Sequence, residues 1–99
     1  MDINHTSPDR AAILRSILAG NVGNDGTKQS ARLLDAMERL GSITTVEAVR
    51  FLDIIDPRAR KMSLVKAGHQ VLMSWDRDQT ESGKAHRIGR YSLVKGQQS

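Results

Sequence analysis

Only Ile54 and Ile55 separate two short helices whose starts and stops are both written into the chain, and that spacing restricts the possible folds most. The first helix opens at Thr44, whose hydroxyl can cap the first turn while Glu47, three residues on, reaches back to the threonine amide, a capping box. Ile43, just before the cap, packs on Ala48 as a hydrophobic staple. Val46, Ala48, Val49, Phe51 and Leu52 recur at helical spacing, which predicts one broad inward side and an end near Asp53. The second helix starts at the Asp56 cap, with Pro57 in the first helical position, where a missing amide costs nothing. It stops at Gly68, the residue type that best adopts left-handed helix-end geometry. So short a connection makes the helices cross steeply, as in a helix-turn-helix.

The second helix is also cationic. Arg58, Arg60, Lys61 and Lys66 fall within a stretch that contains no acid, and Asp56 sits at the cap, where the helix dipole favours an anion. Charge is divided unevenly along the chain: residues 1–55 carry six Lys or Arg against seven Asp or Glu, and residues 56–99 carry nine against four. A basic half beginning at the second helix favours a polyanionic partner, although the same charges also suit a solvated face. Three aromatics, Phe51, Trp75 and Tyr91, are too few for a platform that stacks single-stranded bases.

Other classes find less support. No cysteine is present for a disulfide framework or a thiolate zinc site. His5, His69 and His86 are far apart, no nucleophile stands at a recognisable distance from a base, and no metal-ligand spacing occurs. An enzyme, a metal site and a cofactor are therefore not expected. No apolar run reaches membrane-spanning length and the N-terminus lacks a secretory pattern, so the expected location is cytoplasmic.

Along the rest of the chain, residues 1–6 read as frayed. Ser7, Pro8 and Asp9 start a helix whose apolar stripe is Ile13, Leu14, Ile17 and Leu18 and which Gly20 ends. Such a helix either completes the core or serves a dimer or another partner. The run GNVGNDG, residues 20–26, is a linker; a glycine-rich loop before a helix can cradle phosphate, but the spacing of a nucleotide-binding loop is absent. From Thr27 a third helix places Leu33, Leu34, Met37 and Leu40 inward and Arg32, Asp35, Glu38 and Arg39 largely outward, until Gly41. Ser42 and Ile43 form a minimal extended bridge. After Gly68 the period becomes alternating, with Val71, Met73 and Trp75 on one side. A turn with Ser82 and Gly83 at its apex leads to a returning strand over 86–94, whose register depends on whether Gly89 marks a bulge. Trp75 and Tyr91 are the expected anchors of this hairpin. The expected organisation is an N-terminal extension (1–26), one compact domain (27–94) and a disordered tail (95–99).

Three helices followed by a hairpin make a winged helix. Residues 29–94 resemble the small winged helix-turn-helix domains common in phage and prophage genes, through "GSITTVEA", "DPRAR" and "AGHQV" at these spacings and a basic hairpin ending HRIGRYSL. The resemblance implies a mostly α fold with a small antiparallel hairpin: a three-helix core plus a β-wing, here with an extra N-terminal helix. It also implies binding to double-stranded DNA through the second helix of the pair, in a transcriptional regulator.

One departure is Lys61, which stands where an apolar, core-facing residue is expected and leaves open which face of that helix is buried. By docking geometry the helix enters the major groove at its N-terminal end, with Arg58 reading bases and Arg60, Lys61 and Lys66 on phosphates. Thr45 and Arg50 touch backbone from the preceding helix, and Lys84, His86 and Arg87 do so from the wing, with Arg77 and Arg90 dependent on register. One small module buries limited surface, so a homodimer through the helix from Pro8 is expected. The alternative is a winged helix used to bind another protein.

Overall fold

The computed structural model describes residues 6–79 and 85–94, with the backbone alone at residues 77–79, 85 and 86. Its elements run α1 (Pro8–Gly20), α2 (Gly26–Leu40), β1 (Ser42–Thr44), α3 (Thr45–Leu52), α4 (Pro57–Lys66), β2 (Val71–Gln79) and β3 (Ala85–Leu93). The strands form one antiparallel sheet in the order β1-β3-β2, so the chain is a mostly helical winged helix with an added N-terminal helix.

The helix ends follow the caps. Ser7, Asp25, Thr44 and Asp56 each accept a first-turn amide through the side chain, and the Thr44–Glu47 box is complete in both directions. After α4 the Gly68 N–H donates to Val65 O and the His69 N–H to Leu64 O, with Gly68 at φ +106°. A Cβ is strained at that angle, so Gly68→Ala should cost about 1 kcal/mol in urea unfolding. A loss of a few tenths or less would show that α4 does not depend on this stop.

A single core joins all the layers: Leu14 and Ile17 of α1, Leu33, Ala36 and Met37 of α2, Ile43, Ala48 and Leu52, then Ile54, Leu64 of α4 and Tyr91 of β3. A helix as short as α1 is marginal by itself, and each fully buried aliphatic side chain is worth roughly 1.5–3 kcal/mol, so packing holds it in place. Its buried positions are Ala11, Leu14 and Ile17; Ile13, expected inward, is 37% exposed. In α3, Val49 also turns out to solvent, since Glu47, Ala48 and Leu52 take the inner side.

Two polar clamps that sequence periodicity does not reveal fix the helix pair. The Glu47 carboxylate, almost fully buried, accepts from Arg10 Nε at 2.7 Å and Nη2 at 3.0 Å, from the Thr44 N–H and from Thr6 Oγ1. Arg10 Nη2 also donates to Ser42 O at 2.6 Å, so α1 is tied to both β1 and α3. Thr6, expected to be frayed, is thereby held; residues 1–5 lie outside the described residues. Burial pushes the Glu47 carboxyl up, but the bonds from Arg10, Thr44 and Thr6, with the Arg10 charge, outweigh it and hold the group below the ordinary glutamate value.

The second clamp is Arg32, expected on the solvent side of α2 but fully buried. Its Nε donates to Leu52 O at 2.7 Å, Nη1 to Asn21 O and Gly23 O at 2.6 and 2.8 Å, and Nη2 to Asp53 O at 3.3 Å. One guanidinium thus joins the end of α1, the loop after it and the turn between α3 and α4. In that turn Asp53 adopts the left-handed conformation, φ 52°, and Ile54 dives into the core.

The hairpin register is continuous from Val71↔Leu93 to Gln79↔Ala85, with Trp75 opposite Gly89 and no bulge in the pairing. Strand β2 runs further than alternation alone indicates, and the expected apex at Ser82 and Gly83 lies outside the described residues, as does the tail from residue 95. Tyr91 anchors the hairpin at 3% exposure, whereas Trp75 is 52% exposed because it sits on β2 beyond the part of the sheet that the helices cover.

Candidate nucleic-acid interface

Helix α4 has one buried side chain, Leu64. Lys61, one turn earlier, is partly buried on the flank of that contact, which settles the question its identity raises: Leu64 supplies the apolar contact, and Lys61 lies at its edge. Arg58, Met62 and Lys66 follow one another at four-residue spacing and are exposed, so they share the outward face of α4. Met62 is 44% exposed between the two cations. This Arg-Met-Lys row was readable in the sequence from the spacing, once Leu64 rather than position 61 is taken as the inward residue.

The start of α4 stands close to the sheet. Burial raises the Tyr91 hydroxyl above the ordinary tyrosine value, the Arg58 charge pulls it down and the Asp56 charge pushes it up. Thr45, at the start of α3, packs against β3 where Gly89 leaves room: a Cβ there would meet Met73 Cε at 3.0 Å and Thr45 Cγ2 at 3.2 Å. On the same sheet face, Arg87 stacks over the Trp75 ring at 4.6 Å, a cation–π pair on the exposed part of the wing. The first turn of α4, Thr45 and the Trp75–Arg87 pair therefore border one side of the molecule.

Other expected contact residues stand apart from that group. Arg60 turns toward α2, its guanidinium against Gly26. Arg50 lies over the Phe51 ring at 5.5 Å, with Arg15 of α1 at 5.6 Å from the same ring, beside a cavity lined also by Pro8 and Ala11. Arg90 is on the opposite sheet face, bonded to Asp76 Oδ2 at 2.7 Å and to Ser42 Oγ at 2.7 Å, so it cross-links the three strands. His86 is paired through the backbone with Asp78, the Arg77 backbone pairs with Arg87, and Lys84 lies outside the described residues. Among the described residues no group of three or more His, Cys, Asp or Glu is placed to hold a metal ion, and no helix is long and apolar enough to cross a membrane.

A family model described as a winged helix-turn-helix domain matches residues 28–96. No curated protein matches the chain.

Proposed function

Since the chain belongs to the winged helix-turn-helix family, a DNA-binding fold, we propose that it binds double-stranded DNA in a sequence-specific manner and acts as a cytoplasmic transcriptional regulator of the phage and prophage type. The observation that carries this reading is the outward face of α4, where Arg58, Met62 and Lys66 stand clear of the core and Arg58, at its N-terminal end, is near enough to Tyr91 of β3 for its charge to act there. The N-terminal end of α4 enters the major groove. Arg58, closest to that end, reads a guanine through its two-pronged guanidinium, and Lys66 contacts a phosphate. Met62 supplies apolar contact to a thymine methyl, and the Trp75–Arg87 pair lies along the backbone beside the groove.

Selection of genomic fragments on the purified protein should enrich a short common motif. Arg58→Ala should then weaken binding to that motif about 10–100-fold and relax the preference at one base pair, with a much smaller effect on unrelated duplex. Lys66→Ala should weaken all duplexes alike. Equal losses on every sequence for Arg58→Ala would remove Arg58 from base readout.

Two copies on one site would meet through the solvent side of α1, where Ile13 is exposed. Sedimentation of the protein on its selected duplex should show two copies bound. A single bound copy would exclude this dimer.

A further inference from the structure

The geometry points to a phosphate seat in the cleft between α2 and α4, built from Arg60, the first turn of α2 and Ser30, and separate from the outward face of α4. It rests on the DNA-binding reading above and gives Arg60 a site of its own.

Four observations meet at this cleft, which has a volume of about 490 Å³. The Ser30 hydroxyl lines it, is nine-tenths buried and, among the described residues, has no hydrogen-bond partner. A polar atom in that state is costly unless something supplies a partner. Second, the Arg60 guanidinium lies in the same cleft against Gly26, and among the described residues it has no carboxylate partner, unlike Arg10, Arg39 and Arg90. Third, Gly26 and Thr27 open the long helix α2, so their amides have no intrahelical acceptor. Among the described residues the Asp25 carboxylate takes only the Lys28 N–H. Fourth, the absence of a Cβ at Gly26 is what lets Arg60 approach, because a Cβ built there would overlap Nη1.

A guanidinium fork, two amide donors at the positive end of a helix dipole and a hydroxyl donor together match the oxygens of one phosphate. The Asp25 charge at the cap opposes an anion, so the Arg60 charge is required for net attraction. A backbone phosphate seated here lies beside α4 and flanks the groove that α4 enters. The seat is therefore indifferent to base sequence and fixes how far along its axis α4 engages.

The test uses the whole chain and three variants. Arg60→Gln removes the charge; Gly26→Ala displaces the guanidinium at the far end of a flexible side chain and leaves α2 intact; Ser30→Ala removes the hydroxyl. On any duplex, Arg60→Gln and Gly26→Ala should weaken binding about tenfold near 0.1 M salt and make the dependence of log K on log salt shallower by about 0.9, the signature of one lost phosphate contact. Base preference should stay that of the wild type. Ser30→Ala should weaken binding while its unfolding midpoint stays at or above the wild-type value, which a merely structural serine would not do. If wild type binds duplex and the salt slope of Arg60→Gln is unchanged, the seat is overturned while DNA binding stands. If wild type binds no duplex, the DNA reading fails. In that case inorganic phosphate shifting the Gly26 and Thr27 amide resonances in wild type, and not in Arg60→Gln, supports a seat for a free phosphate. No shift overturns the seat as well.

Discussion

Arg32→Met should lower the unfolding free energy by about 3–5 kcal/mol in urea titrations, enough to remove much of the stability of a small domain. The Arg32 guanidinium is buried and, among the described residues, has no carboxylate beside it; its bonds go to the carbonyls of Asn21, Gly23, Leu52 and Asp53. Two of those carbonyls belong to the C-terminal end of α3 and one to the cap of α1, where the negative ends of helix dipoles collect. That field, with the direct bonds, keeps a buried cation stable without an acid. A methionine fills the space but leaves several buried acceptors unpaired, each costing roughly 1–3 kcal/mol unless water reaches it. Arg32→Lys keeps the charge and loses the fork, so it should fall between the two. Because Leu52 and Asp53 flank the turn into α4, both variants should also raise hydrogen exchange in residues 52–56. A loss below about 1 kcal/mol for Arg32→Met would show that the carbonyls are satisfied in another way.

The second large effect is expected at Glu47. Removing one partner of a buried, hydrogen-bonded ion pair typically costs about 3–5 kcal/mol, so Arg10→Ala, which strands the carboxylate, should approach that range. Glu47→Gln keeps the shape and should cost less. The pair also sets a pH dependence. The folded-state value of Glu47 lies below its unfolded value near 4.5, so its stabilisation is complete above that value and is lost as pH falls through the lower, folded one. Between pH 5 and 3 the wild type should therefore lose more stability than Glu47→Gln, and Arg10→Ala should shift the acid transition to higher pH. Parallel profiles for wild type and Glu47→Gln would show that other carboxylates govern acid unfolding.

The parts of the fold legible in the sequence were those set by local chemistry. Three of the four helix starts, the Gly68 stop and the alternation in β2 follow from the Ser7, Thr44 and Asp56 caps, Pro8, Pro57 and side-chain period, none of which needs a distant partner, while α2 opens at Gly26 on an Asp25 cap inside the stretch expected to be a linker. What periodicity could not show was burial driven by non-local polar bonds. Arg32 looks like a surface arginine on α2 because its acceptors come from three other segments. Trp75 looks like an anchor because it shares a face with Met73 and Tyr91, yet the helices cover only part of that face. In α4 the sequence shows the charge but not the facing, since Arg60 and Arg58 differ by two residues and that difference turns one toward α2 and leaves the other in solvent.

The most direct test is an NMR titration of the isotope-labelled chain with its selected duplex. The expected result is a contiguous set of perturbed resonances at Arg58, Met62 and Lys66, extending to Thr45 and to the Trp75 and Arg87 region of the wing. Perturbations confined to the Arg15–Phe51–Arg50 surface, or none at a duplex concentration that saturates other probes, would contradict binding through the outward face of α4.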